Sequence, residues 1–397
     1  MKRKALWISI IGILLIGFVC LFCYRHYIRQ KQIEQKKHTG LVSENFPVQD
    51  IKHQCKNIYE DAYQTEADNQ LQNMRNNNSY TIEEPLLVWN PYGTNTGSFY
   101  YYGVSKQDSY VVCEVTCNNG SVIKHRLKND SDSGVTKTHE YLITGLAPGL
   151  KNHFSLAFYD AGNNLIHTYQ YTVTLKKDKQ IPAITKVEKG NSKSSLTDGL
   201  FAVLGHDKSK AKNIYYYDNN GICRGKTPLN DYRTDRILTI DGKLVYSYSL
   251  TDIAFVNRLG KVEKTLSLGK YELHHDFMYD EKRNELLCLV NDTDKDTIED
   301  VLISVNIETG KIKKLVDFEK MMKSMRKRSV QRKGGKNTYG GTELDWLHLN
   351  SLDMINDKDA VFSSREESVI IKINNIYENP SIDYLIHSGS LYKGTKY

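Results

Sequence analysis

The chain has 397 residues, enough for two domains and a sizeable core, and its composition is ordinary apart from an abundance of tyrosine and asparagine. Few prolines and a negative mean hydropathy fit an exposed all-β protein. The net charge of +7 is modest for this length and part of it sits beside an apolar N-terminal run or in one loop, so nothing here points to nucleic acid as a partner.

After Lys2, Arg3 and Lys4, the run from Ala5 to Tyr24 is almost wholly apolar and long enough to span a bilayer as a helix. A cleaved signal peptide would have a shorter apolar core and a small-x-small exit. This run ends Phe22-Cys23-Tyr24, so residues 1–24 are expected to be an uncleaved membrane anchor. Basic residues lie on both sides, with Arg25, Arg29, Lys31, Lys36 and Lys37 following, and charge alone leaves the orientation open. Residues 25–80 read as a polar stalk and a helix. Ile51, Cys55, Ile58, Tyr59 and Ala62 recur at helical spacing, which predicts a helix running roughly to Met74 before Asn76-Asn77-Asn78 stops it.

Residues 81–183 read as a small β-sandwich, because Leu86 to Leu175 consists of short alternating runs between turn residues, as in Phe154-Ser155-Leu156-Ala157-Phe158 before Asp160-Ala161-Gly162-Asn163-Asn164. Of seven cysteines, Cys20 and Cys23 lie in the anchor, and Cys55, Cys113, Cys117, Cys223 and Cys288 form no disulfide framework. Cys113 and Cys117 would face the same way along one strand, too far apart to bond, as packing residues.

From residue 190 to 397 a repeat appears, each unit an apolar strand, a glycine turn and a second strand. Asn219-Asn220-Gly221, Arg258-Leu259-Gly260 and Glu308-Thr309-Gly310 recur about 40 to 50 residues apart, the period of propeller blades. The predicted fold is therefore all-β: a small sandwich followed by a partial β-propeller of about four blades. Lys320 to Lys336 interrupts it as a solvated basic loop with a short helix around Met321, Met322 and Met325. Gly221 to Thr227 is one residue short of a phosphate loop and sits in a hairpin turn, so a nucleotide site is not expected.

The chemistry concentrates in Asp345-Trp346-Leu347-His348-Leu349-Asn350-Ser351 and, after a period-2 apolar run, Ser363-Ser364-Arg365. A histidine, an amide and an arginine on neighbouring strand ends make a cationic, hydrogen-bonding pocket for a tetrahedral anion. His274-His275-Asp276 adds two histidines which, on a regular strand, face opposite sides. These segments, with Asn90-Pro91-Tyr92-Gly93-Thr94 and Gly145-Leu146-Ala147-Pro148-Gly149 with Asn152, resemble the bacterial aryl-sulfate sulfotransferases in order and wording. The resemblance implies an exported domain on a six-bladed-type propeller, anchored with its N-terminus inside the cell membrane and its domain on the extracytoplasmic side. It implies transfer of a sulfuryl group from a phenolic sulfate ester to a phenol through a sulfohistidine, with no nucleotide sulfate donor or other cofactor. It places Arg365, His348 and His275 around the donor's oxygens with Asn350 in support, and leaves a homodimer open.

In that family a Gly-Gln-His segment supplies the transiently sulfated histidine, and no such segment follows Arg365, so the nucleophile and the closing blades are expected to lie outside this chain. The chain alone is then expected to show no ping-pong transfer and to aggregate, with His206, His274 and His387 as the fallback nucleophiles. Zinc is the competing reading of three histidines and an aspartate. Their spacing matches no standard motif and an arginine among the strand ends would repel a cation, so no metal is expected, although calcium between blades stays open. The rival function is a non-catalytic, surface-anchored propeller-type interaction protein.

Overall fold

The computed structural model describes residues 24, 39–43, 46–118, 120–129, 134–181, 188, 190, 199–205, 212–231, 234–329 and 341–387. The expected anchor, apart from an exposed Tyr24, lies outside these residues, as do His206 and positions 330–336 of the basic loop. Among the described residues no helix is long and apolar enough to cross a membrane.

The helix α1 spans Asp61–Asn77 and buries Tyr63, Gln64, Ala67 and Leu71, with Asp61 in its first turn and Arg75 in its last, matching the helix dipole. It begins ten residues after Ile51, where the predicted periodicity starts. Tertiary contacts override that periodicity, because the Glu66 carboxylate accepts the backbone N–H groups of Gln54 and Cys55 and holds that segment extended. Tyr59 instead stacks on Tyr248, 3.8 Å between ring centres, so its apolar face serves another core.

The first β layer contains β1 (Thr39–Ser43), β2 (Leu86–Trp89), β3 (Phe99–Cys117), β4 (Ile123–Arg126), β5 (Thr136–Ile143), β6 (Lys151–Tyr159) and β7 (Leu165–Thr174). The long strand β3 serves two sheets. Its first half pairs antiparallel with β2 and β5, and its second half lies between β4 and β6, with β7 and β1 beyond. Phe99 and Tyr101 from one half and Val111, Cys113 and Val115 from the other share a core with Phe154, Leu156 and Phe158. Two faces closing on one core is the construction of a sandwich. Cys113 and Cys117 are both buried and unbridged, as alternation along β3 requires.

Four further sheets follow in chain order. The first has three strands, β8 (Phe201–Val203), β9 (Asn213–Tyr217) and β10 (Cys223–Pro228). The others are antiparallel meanders of four: β11 (Ile237–Ile240) to β14 (Val262–Ser267), β15 (Tyr271–Asp280) to β18 (Ile312–Asp317), and β19 (Leu349–Met354) to β22 (Ser381–His387). Within them lie β12 (Lys243–Ser247), β13 (Asp252–Val256), β16 (Glu285–Asp292), β17 (Val301–Asn306), β20 (Ala360–Ser364) and β21 (Val369–Asn374). The glycine turns read from the sequence close the last hairpin of the first three of these sheets. Gly221, Gly260 and Gly310 each have φ between 68° and 82°, a region open to glycine at little cost. First strands adjoin from sheet to sheet, β11 beside β15 and β15 beside β19. This puts strand starts of neighbouring sheets at one locus. Within the basic segment, α2 (Phe318–Met321) and α3 (Lys323–Arg326) are a single turn each, and Phe318, Met322 and Met325 are buried against the last sheet.

One buried cation locks the sandwich to the first of these sheets. The fully buried Arg224 donates to Asp218 at 2.8 Å, to the Gly145 carbonyl at 2.7 Å and to the Ser121 carbonyl at 2.5 Å. Thr94, at the end of the Asn90–Thr94 segment, donates to the Gly260 carbonyl, and Asn152 closes the loop after Gly145 by bonding both backbone groups of Ala147. Three of the sequence's distinctive segments thus build this junction, and the phosphate-loop look-alike from Gly221 to Thr227 is the end of a turn followed by most of β10.

Candidate functional site

The site lies at the adjoining starts of β15 and β19 and is built on unusual backbone. Among the described residues, ten other than glycine have positive φ, and seven of these are Asn, Asp or Ser. The other three are His275 at 54°, Glu299 at 58° and His348 at 51°. Left-handed backbone costs such residues on the order of 1 kcal/mol or more and persists only where surrounding bonds fix it. Here they do. The His275 N–H donates to Asp235 at 3.0 Å and the Glu299 N–H to Asn291 at 2.7 Å, while the His348 carbonyl accepts the Arg365 N–H at 3.0 Å. The Glu299 carbonyl accepts the Leu349 N–H at 3.0 Å, tying the loop between β16 and β17 to the next sheet.

The side chains converge as a result. His275 Nε2 is 2.9 Å from His348 Nε2, with the rings 4.9 Å apart. The opposite nitrogen of His348 donates to Asp345 at 3.0 Å and to Glu299, both fully buried. Burial alone would lower the His348 pKa, but the bonds and charges of Asp345 and Glu299 outweigh it and raise the pKa above the ordinary value. A charged His348 donates from both nitrogens, which leaves His275 Nε2 the acceptor in their contact. His275 is the more open of the pair.

Arg365 follows β20 and comes within 3.2 Å of Asp345 while also bonding Glu366 at 2.7 Å. One carboxylate, Asp345, therefore orients both the histidine and the arginine. Asn350 sits half-buried at a bulge where the pairing of β19 with β20 slips between Leu349 and Ser351, and its side chain makes no hydrogen bond among the described residues. The sequence-derived His275, His348 and Arg365 are thus brought together, and Asn350 is adjacent along the chain.

Alternation along a regular strand would send His274 and His275 to opposite faces, so that one alone reaches the centre. A bulge between Leu273 and Phe277 changes this. Ring nitrogens of both histidines and a Glu299 oxygen all lie within 4.8 Å of one another. Burial pushes the His274 pKa down to about 4, against the pull of Glu299. The Val290 carbonyl lies against one ring nitrogen and adds a small upward push, and the other nitrogen has no hydrogen bond among the described residues. His387 ends the outer strand β22, two strands away from β20.

Glu299 was not legible in the sequence. It belongs to no motif and reaches the site only because its loop folds against β19. Asp345 stood inside the quoted motif, three residues before His348, a spacing that lets its carboxylate reach back to the ring. A cavity of about 400 Å³ opens beside the cluster, lined by His274 and Glu299 together with Glu272, Asn291, Lys295 and Glu343. Trp346 is buried with its indole N–H on Asp300 at 2.9 Å, so it anchors the motif rather than lining the opening.

The family model described as "Arylsulfotransferase (ASST)" matches residues 185–396, which contain every residue of this site. Comparison with curated proteins finds no match. Among solved structures, "KlHsv2 with loop 6CD replaced by a Gly-Ser linker" is similar at 10% identity over 69% of this chain and 95% of that one, with a TM-score of 0.26, too low to bear on the fold.

Proposed function

Given that the chain belongs to the arylsulfotransferase family, we propose that it transfers a sulfuryl group from a phenolic sulfate ester to a phenol, through a sulfohistidine and without a nucleotide sulfate donor. The observation that carries this reading is the His275–His348 pair, whose charge is sustained by two buried carboxylates and whose open member faces out of the cluster. Such a pair presents positive charge and a transferable proton to one small anion. Arg365 adds the second positive group, oriented by Asp345, and Asn350 supplies an amide from the bulge.

In the first half-reaction the donor's S–O bond breaks as an S–N bond forms to a histidine, and the departing phenolate takes its proton from the His275–His348 pair. In the second, the acceptor's oxygen attacks sulfur, its proton returns to the pair, and the histidine is released. The sulfurylated histidine is the one that the family's Gly-Gln-His segment supplies, expected outside this chain, while His275 and His348 meet the donor's oxygens. We place the protein at the cell membrane, anchored through residues 5–24 with its domain on the extracytoplasmic side. Retention in the pellet after alkaline carbonate extraction tests that placement.

The transfer test is a chromogenic aryl sulfate, with and without a phenol acceptor, given to the chain joined to a segment that supplies the family's Gly-Gln-His histidine. Phenolate release that accelerates with acceptor is expected, and Arg365→Ala should lower it about a hundredfold, the loss typical of one transition-state donor. Near-normal release by the variant would make Arg365 structural. Binding of the ester by folded wild-type protein with no release at all would favour the rival reading, a surface-anchored binding protein, which the pairing of Arg365 with Asp345 and Glu366 also supports.

A further inference from the structure

We infer that His274, His275 and Glu299 form a binding site for one divalent transition-metal ion, zinc fitting the donor set best. Two imidazoles and a carboxylate whose donor atoms lie within 4.8 Å of one another are a three-ligand set of the kind that leaves a further position open. His275 Nε2 is 3.9 Å from Glu299 Oε2, within twice a zinc–ligand bond of about 2.0–2.2 Å.

The observation that points to an ion is His274. Its ring is buried, the Val290 carbonyl lies against one nitrogen, and the other lacks a hydrogen bond among the described residues. Buried polar groups are rarely left so, because an unmet partner costs about 1–3 kcal/mol. A cation on one nitrogen supplies what the protein does not.

The surroundings favour a cation despite the arginine. Arg365 is met by Asp345 and Glu366, so little of its charge is left to repel an ion. The cavity leading to His274 carries Glu272 and Glu343 against Lys295, itself held by Asp300, Asp317 and Glu319, while the Asp292 beside them is met by Lys270 and Lys314. Glu299 also accepts from His348, so the ion and the imidazolium would share one carboxylate, the outer-shell link common at metal centres. The ion would take the place of the proton that His275 and His348 now share. The site stands on its donor set and does not require sulfuryl transfer. Should transfer occur, it belongs to the ion-free chain, because the ion and the shared proton compete for His275 Nε2.

Untagged full-length protein, stripped with a chelator and titrated with zinc alone against a chromophoric competitor, should bind one ion per chain. His274→Ala and Glu299→Gln should each weaken that binding by about a hundredfold or more, in line with loss of one of three ligands. Glu299→Gln preserves shape if the alanine variant does not fold. Cobalt in the wild-type chain should give the intense visible bands of a low-coordinate, imidazole-ligated ion. Equal zinc affinity in wild type and folded Glu299→Gln, or a cobalt spectrum like that of the hydrated ion, would overturn the inference. Both readouts are independent of turnover, so a failure here leaves the transfer reading untouched, and the converse holds.

Discussion

At the scale of single residues, burial decides what a titratable group does. His139 in the sandwich core is fully buried, with one nitrogen near the hydroxyls of Ser109 and Ser105 and the other 3.1 Å from the Tyr141 hydroxyl. Burial pushes its pKa down to about 4, against 6.5 when exposed. The unfolded chain therefore binds the extra proton between these values, and stability is complete above pH 6.5 and falls as the pH drops toward 4. The loss should be on the order of 3 kcal/mol. Urea unfolding at a series of pH values checks it: His139→Gln should flatten the acid limb, and an unchanged slope would assign that limb elsewhere. At the same scale the sequence singled out His275, His348 and Arg365, which the fold places in one cluster, because motif wording is local. Glu299 escaped because its role depends on a loop crossing to the next sheet, and the joint placement of His274 and His275 escaped because a bulge breaks the alternation on which the sequence argument relied.

At the scale of elements, periodicity revealed strands and turns well and the helix start poorly. Glycine turns at Gly221, Gly260 and Gly310 marked hairpins because positive φ has a residue signature. Ile58 and Tyr59 looked helical because their spacing was read against one partner, while the fold sends them to a different core from the residues that follow. The junction of sandwich and first sheet rests on Arg224, whose guanidinium meets one carboxylate and two carbonyls in a dry interior. Arg224→Ala would leave Asp218 charged and buried, a loss of about 3–5 kcal/mol. Chemical denaturation should show the midpoint fall, and the sandwich and the sheets should then unfold in separate steps. A single transition with a near-normal midpoint would mean that the junction is held by its apolar contacts instead.

At the scale of the whole molecule, the last sheet presents an apolar outer row. Ile370 and Ile386 are paired across β21 and β22 and are 41% and 58% exposed, and beside them Tyr384 is 42% exposed with Lys372 against its ring. An exposed outer strand with such a row invites edge-to-edge association, which one lysine only partly discourages. Ile386→Lys should lower the apparent mass in light scattering at high protein concentration and leave thermal stability nearly unchanged. Equal scattering by the two proteins would show that the row does not drive association.

The Asp276 carboxylate reaches in two directions from β15, to Arg236 just before β11 and to the Leu352 N–H on β19 at 2.9 Å. One side chain thus clasps three successive sheets immediately beside the paired histidines. The spacing between His275 and His348 is then set less by either ring than by this clasp, in the way that the gap of a caliper is set by its screw. Loosening it would shift the two histidines relative to each other before it cost the protein its fold, so the geometry of the pair would be the first property to erode.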